Sequence, residues 1–168
     1  MRWGLSARDY GLLAAGVALL FDQATKLFML YGLGFRSEPY ESHVIPVLPF
    51  FNIIMVWNKG VSYGWLSWLS PAFLVLFAVL VVGGLGVWLW LSQSRALALG
   101  LGLIMGGALG NLLDRMVYGR VADFFHFYVR GFDWYVFNVA DVEITLGVIA
   151  MLYDALHKPE AKAVGSGD

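Results

Sequence analysis

Long apolar runs separated by short polar segments dominate the hydrophobic pattern of the chain. A membrane helix needs about 20 mostly apolar residues, and no charged residue occurs from Gly60 to Ser94. The pattern predicts four membrane-spanning helices, at about residues 10–30, 71–91, 96–113 and 139–156. The short polar turn at 92–95 is expected to join the second and third spans into a helical hairpin.

Two longer segments, at about 31–70 and 116–138, connect the spans on one side of the membrane. The first contains His43–Trp57, which is rich in β-branched and aromatic residues, with two prolines that exclude a helix. We therefore predict an all-α membrane protein with four transmembrane helices and a small β-rich platform in the first outer loop. Residues 1–168 are expected to form a single integral membrane domain.

The distribution of Lys and Arg predicts the orientation of the spans. Short cytoplasmic segments carry an excess of these residues. One side has short flanks with Arg2, Arg8, Arg95, Lys158 and Lys162, whereas the other has Arg36, Lys59, Arg115, Arg120 and Arg130 over loops more than twice as long. Both termini are therefore expected in the cytoplasm. The first apolar run is interrupted by charges and has no convincing cleavage site, so it is interpreted as a retained span and not a signal peptide.

Composition supports lipid as the solvent and excludes several kinds of function. Apolar residues make up 60% of the chain and charged residues 14%, against about 25% charged in soluble domains. The net charge of −1 gives no basic field for nucleic acid. There is no cysteine, and His43, His126 and His157 lack metal-ligand spacing. No metal and no cofactor are expected.

An ionisable residue within a span costs roughly 2.5–3.5 kcal/mol, so such residues are candidates for function. Asp22 and Lys26 lie one helical turn apart in the first span. They form either an ion pair that holds helices together or part of a site. A carboxylate paired with a cation is a poor general base, because the cation keeps it ionised.

The third span ends in small and polar residues. Overlapping G-x-x-x-G spacings of Gly102, Gly106 and Gly110 would allow another helix to approach closely. An adjacent stripe contains Gly107, Asn111, Asp114 and Arg115. Within this stripe the amide of Asn111 and the guanidinium of Arg115 supply donors suited to a peptide carbonyl.

Two further acids lie near the outer ends of spans. Asp123 is flanked by apolar residues, which would raise the pKa of its carboxyl; it is otherwise a surface-loop acid. Asn138 suits the N-cap of the fourth span, and Asp141 then falls at the third helical position. Asp141 either only caps this helix or forms a pair of catalytic carboxyls with Asp123.

A serine motif has to be weighed against this pair. Gly60–Gly64 matches G-x-S-x-G around Ser62, but that motif acts on a strand–turn–helix of an α/β sheet. No such fold is expected here, so Ser62 is not assigned a role.

Taken together, these segments resemble the lipoprotein signal peptidase (signal peptidase II) family of aspartyl membrane proteases. The matching segments, in the family's order, are Asp22–Lys26, Asn58–Tyr63, Gly106–Arg115, Val121–Phe124 and Phe137–Asp141, with Tyr63 where phenylalanine is common. The resemblance implies that Asp123 and Asp141 are the catalytic dyad. It also implies substrate-binding roles for Asn58, Asn111, Arg115 and Asn138, and supporting roles for Asp22, Lys26, Gly107 and Asp114.

The resemblance further implies the substrate and its setting. Family substrates are bacterial prolipoproteins whose signal peptide ends at a diacylglyceryl cysteine, and cleavage falls just before that cysteine. We expect a monomer in the lipid of the bacterial inner membrane, with the site near the periplasmic face. The main alternative is a small transporter or proton pathway, which would place polar groups near the bilayer midplane. A structural scaffold would explain the glycines but not the convergence of polar residues.

Overall fold

The computed structural model describes residues 4–37, 44–60 and 70–157. Its elements, in chain order, are α1 (Ala7–Leu27) with a π-helical turn (Phe28–Gly32), β1 (Ile45–Leu48), β2 (Phe51–Asn58), α2 (Pro71–Leu91), α3 (Arg95–Tyr118), β3 (Val121–Val129), β4 (Phe132–Asp133) and α4 (Val139–His157). The molecule is therefore mostly helical, with one small group of short strands.

Within the described residues, three helices are long and apolar enough to cross a membrane. These are α1 with its π-helical turn, α2 and α3. Large apolar side chains are exposed along them, including Leu20, Leu80 and Leu91 at 71%, 65% and 72%. Such outward-facing surface is expected where lipid is the solvent. The helix α4 is shorter and carries three acids, Asp141, Glu143 and Asp154.

Serine side chains set several helix boundaries. The Ser6 hydroxyl accepts from the Asp9 N–H, and the Asp9 carboxylate accepts from the Ser6 N–H in return, so α1 begins three residues before the predicted start. Ser70 caps α2, whose bounds match the prediction. The predicted end of α3 at residue 113 is wrong, because the helix continues to Tyr118 and stops at Gly119, which has a left-handed φ of 70°.

The helix α3 lies at the centre, packed against α1, α2 and α4. A Cβ on Gly102 or Gly106 would collide with the backbone of α1. Gly100 faces the carbonyl oxygen of Gly147 on α4 in the same way. The predicted packing role is confirmed for Gly102 and Gly106, and Gly100, for which none was predicted, adds a second close-packed face to the same helix.

The strands form a four-stranded antiparallel sheet in the order β1-β2-β3-β4. The prediction of strands between His43 and Trp57 is confirmed for β1 and β2, although His43 itself lies outside the described residues. Limiting the platform to the first outer loop is wrong, since β3 and β4 come from the second. Apolar contacts join the two loops, because buried Met55 of β2 packs with Ala122 and Phe124 of β3.

Candidate active site

A cavity of about 330 Å³ opens where α2, α3 and α4 meet the sheet. Its lining includes five of the polar residues predicted from the sequence: Asn58, Asn111, Arg115, Asp123 and Asp141. The rest of the wall is largely apolar, with Phe77, Val81 and Ile144 among the contributors. Residues from four distant segments of the chain therefore meet at one pocket.

Asp123 projects from the first part of β3, where the strand pairs with the end of β2. Its side chain is nearly inaccessible, and both carboxyl oxygens accept from amides: Oδ1 from Asn138 Nδ2 at 2.6 Å and Oδ2 from Asn58 Nδ2 at 3.1 Å. Burial, followed by the charge of Asp141, raises the pKa of Asp123 to about 7. This carboxyl can therefore carry a proton near neutral pH.

Asp141 lies in the first turn of α4, where Asn138 is the N-cap. The Asn138 side chain accepts from the Asp141 N–H at 3.2 Å, and the Asp141 carboxylate accepts from the Asn138 N–H at 3.2 Å. This reciprocal pair is the predicted capping box. Because the Asn138 amide also donates to Asp123, one residue links the two carboxyls.

Asn111 completes the polar wall from α3. Its Nδ2 donates to Asp141 Oδ1 at 3.4 Å, while its Oδ1 accepts from Lys26 at 2.9 Å and from Asn138 at 3.1 Å. The amide thus contacts both the proposed dyad and a buried cation.

One turn further along α3, Arg115 lies at the edge of the cavity. Its NH2 donates to the Gly60 carbonyl at 2.7 Å and its NH1 to the Asn111 carbonyl at 3.1 Å. The buried Nε has no partner within the described residues. The guanidinium therefore keeps one donor that no described residue uses, on a side chain that lines the cavity.

The supporting residues form a buried ion cluster behind this wall. Lys26 contacts Asp22 at 2.9 Å, which confirms the predicted i,i+4 pair, and also Asp114 at 3.0 Å. From the sequence, Asp22 was the only predicted partner of Lys26, so the prediction was incomplete. The two carboxylates also reach the site's backbone, because Asp114 accepts from the Ala122 N–H and Asp22 from the Ala140 N–H, both at 3.1 Å.

Gln23 is a member of this cluster that sequence reasoning missed. Its amide donates to Asp22 at 3.1 Å, to the Gly110 carbonyl at 3.2 Å and to Asp114 at 3.3 Å. The only available signal was its position next to Asp22 in the first span. Gly107 supports the site differently: a Cβ there would lie 2.6 Å from the Ala140 carbonyl oxygen, so glycine lets the start of α4 approach α3.

Other candidates from the sequence lie elsewhere or outside the described residues. Glu143 is buried but does not line the cavity. His126 contacts Asp133 on the sheet and His157 stacks on Tyr153 at the end of α4. Ser62 and His43 are not described. Within residues 4–37, 44–60 and 70–157, no three His, Asp or Glu side chains are grouped as metal ligands.

Comparison with known proteins yields consistent matches over most of the chain. Residues 14–157 match the family described as signal peptidase (SPase) II. The lipoprotein signal peptidase of Rhodopseudomonas palustris strain CGA009 is 46% identical over 161 residues, covering 91% of this chain and 96% of the relative. That of Nitrobacter hamburgensis is 44% identical with the same coverage of each chain.

The fold also matches solved structures. A bacterial membrane enzyme solved at 2.3 Å by the in meso method superimposes with a TM-score of 0.76 and 27% identity, covering 94% of each chain. A second, solved at 1.9 Å, gives a TM-score of 0.70 and 29% identity, covering 89% of this chain and 93% of the other.

The fold and these matches define a multi-pass membrane peptidase. The chain belongs to the signal peptidase II family.

Proposed function

We propose that this chain is an aspartic endopeptidase that removes the signal peptide from diacylglyceryl-modified prolipoproteins, just before the modified cysteine. The observation that carries the mechanism is the pair of carboxyls formed by buried Asp123 and half-buried Asp141, which line one cavity and are linked by Asn138. Family membership supports the substrate class.

Asp123 and Asp141 divide the chemistry between an acid and a base. Two carboxyls that share a site resist ionising together, so the pair holds one proton near neutral pH. The ionised member accepts a proton from water, and that water attacks the scissile carbonyl carbon. The protonated member donates its proton to the carbonyl oxygen, which gives a tetrahedral intermediate. When this intermediate breaks down, the member that took the proton from water donates it to the leaving nitrogen, and the other member takes back the hydroxyl proton, so the pair again holds one proton.

Neighbouring donors stabilise the charge that develops on the carbonyl oxygen. Among the described residues the Nε of Arg115 has no hydrogen-bond partner, the side-chain NH2 of Asn111 donates to Asp141, and both residues line the cavity. Donors fixed in a partly buried site stabilise an oxyanion more strongly than water does. Asn58, which lines the cavity, is proposed to hold the substrate backbone. Asn138 was expected to bind substrate too, but it is fully buried and does not line the cavity, so its proposed part is to orient the dyad.

The apolar cavity wall suits a signal peptide that arrives as a membrane helix. The Leu74, Phe77 and Val81 side chains of α2 line the cavity along one helix. Residues 61–69, which connect β2 to α2, lie outside the described part of the chain. We propose that the substrate helix lies against this part of α2 with its cleavage site beside the dyad.

The same proposal includes the membrane arrangement. We propose that α4 is the fourth span of a single domain, that both termini are cytoplasmic, and that the site lies near the periplasmic face of the inner membrane. A monomer is sufficient, since one chain supplies every proposed site residue. The transporter alternative is not favoured, because the polar cavity lies where helix ends meet the sheet.

The direct test is to incubate the purified chain with a diacylglyceryl-modified prolipoprotein and to detect the released signal peptide by mass spectrometry. Release is expected just before the modified cysteine and is expected to continue in a strong chelator. The unmodified prolipoprotein serves as the matched control and should be cleaved poorly. Loss of cleavage on chelation, restored by zinc, would contradict the aspartic mechanism.

A further inference from the structure

We propose that Lys26 is a positioning residue that fixes the side-chain amide of Asn111 with its NH2 toward the dyad and the cavity. This inference rests on the proposed function and gives the buried cation a defined part in it. Lys26 touches neither Asp123 nor Asp141 in the hydrogen bonds and ion pairs of the described residues. Apart from its charge, which acts on Asp123 through space, its effect on catalysis passes through a neighbour that it contacts.

The three donors of the Lys26 ammonium have three acceptors. These are Asp22 at 2.9 Å, Asp114 at 3.0 Å and Asn111 Oδ1 at 2.9 Å. An ammonium has three donors and no acceptor. Lys26 is also 1% exposed, so water does not compete for these positions. The ammonium is therefore held in place and presents a hydrogen to Asn111.

This contact decides which end of the Asn111 amide faces which neighbour. Oδ1 has two acceptor sites, and they are used by Lys26 and by Asn138 Nδ2 at 3.1 Å. A reversed amide would place its NH2 against two donors and its oxygen against the Asp141 carboxyl. Asn138 shares its NH2 with Asp123, so Lys26 supplies the charged and stronger donor to Oδ1.

The consequence lies on the cavity side of Asn111. In the fixed orientation its NH2 is directed toward Asp141 Oδ1, and the residue lines the cavity. A reversed amide would present an oxygen to the substrate carbonyl, where a donor is needed. Lys26, as a member of the ion cluster between α1 and α3, thus keeps the Asn111 side-chain NH2 in place as a hydrogen-bond donor at the site.

A double-mutant cycle tests this role. Lys26→Met alone should lower kcat by on the order of 100-fold, with KM little changed, because a misoriented group near the chemistry costs about this much. In an Asn111→Ala background, Lys26→Met should lower kcat by less than about 3-fold relative to Asn111→Ala alone, because the amide that Lys26 orients is absent. Effects that simply multiply would overturn the proposal.

Gln23→Met is the matched control, since Gln23 contacts the same two carboxylates as Lys26 but not Asn111. Gln23→Met should lower the Tm and leave kcat near wild type. Its effect on kcat should be the same in the wild-type and Asn111→Ala backgrounds. Lys26→Met leaves two buried carboxylates without their cation; if it does not fold, the comparison is made in an Asp22→Asn background. In that background too, effects of Lys26→Met and Asn111→Ala that simply multiply would overturn the proposal.

A readout without substrate separates this proposal from the proposed function. The side-chain NH2 signals of Asn111 in a ¹H–¹⁵N NMR spectrum, assigned by their loss in Asn111→Ala, should shift in Lys26→Met and stay in place in Gln23→Met. Unchanged signals in Lys26→Met would overturn the positioning role even if the peptidase is active. Shifted signals in a protein that cleaves no prolipoprotein would support the orientation and contradict the function.

Discussion

Three asparagine side chains, those of Asn58, Asn111 and Asn138, donate hydrogen bonds to the two carboxyls of the site, and the backbone N–H of Asn138 donates another to Asp141. The nearby cation is used elsewhere, because the ion pairs of Lys26 go to Asp22 and Asp114. An adjacent cation would hold a carboxyl ionised, whereas a neutral amide lets it keep or release a proton. At the residue scale, this separation of amides from ion pairs suits a dyad that must carry one proton.

The raised pKa of Asp123 predicts a pH-dependent stability. Its pKa is about 7 in the folded protein, against an ordinary value of 3.8. Between these two pKa values, Asp123 is protonated in the folded protein and ionised in the unfolded chain. Its contribution to the free energy of unfolding is therefore full below pH 3.8 and is lost as pH rises through about 7. Asparagine at this position does not ionise, so Asp123→Asn does not lose this stability as pH rises.

The Tm of Asp123→Asn should therefore rise relative to wild type as pH increases from about 4 to about 7. Thermal unfolding of both proteins in detergent measures the difference, with Asp133→Asn as the control for an exposed carboxyl on the neighbouring strand. Parallel curves for wild type and Asp123→Asn would contradict the raised pKa.

Residue-level contacts could be predicted from the sequence only where they are local. The Asp22–Lys26 pair and the Asn138–Asp141 capping box follow from spacings of four and three residues. The contacts of Lys26 with Asp114 and Asn111 cross from α1 to α3, over sequence separations near 90 residues. They depend on the depth at which the two helices pack, which no local pattern specifies.

At the scale of elements, close packing around α3 determines where the dyad lies. Gly107 allows α4 to begin next to α3, and Asp141 is in that first turn. Gly107→Ala would place a methyl group 2.6 Å from the Ala140 carbonyl oxygen and force the start of α4 outward. Overpacking of this kind costs typically 1–3 kcal/mol.

We predict that Gly107→Ala lowers both Tm and the cleavage rate, because Asp141 moves with the helix. Gly83→Ala is the control, since its Cβ would meet nothing within 4 Å on α2. That variant should keep full activity and be equally or more stable, as alanine favours a helix over glycine. Cleavage by Gly107→Ala at the wild-type rate would contradict the proposed link between packing and site.

The boundaries of helices and strands could be predicted from the sequence where local signals set them, and not where contacts between distant segments do. Ser70 and Pro71 mark the start of α2 by capping and by proline geometry, and the apolar run without charges gave its extent. The end of α3 was placed too early because Asp114 and Arg115 looked like a polar boundary. Their charges are instead satisfied within the protein, by Lys26 and by the Gly60 carbonyl. The pairing of β2 with β3 joins two loops, which no local pattern predicts.

At the scale of the whole molecule, the proposed orientation places the sheet and cavity outside and the α2–α3 turn inside. The chain has no cysteine, so single cysteines report topology without background. Asp133→Cys should react with a membrane-impermeant maleimide added to intact spheroplasts, because Asp133 is exposed on the sheet. Gln93→Cys, on the exposed α2–α3 turn, should react only after the membrane is opened. The reverse pattern would contradict the orientation.

The central claim is that Asp123 and Asp141 carry the reaction together, and cleavage by their asparagine variants tests it most directly. Each variant keeps the size of the side chain and removes the ionisable carboxyl, so each should lower kcat by on the order of 10⁴-fold or more while the protein stays folded. Glu143→Gln, a buried acid on α4 away from the cavity, and Ser62→Ala should both retain activity. Normal cleavage by either Asp123→Asn or Asp141→Asn, or an inactive Ser62→Ala, would contradict the account.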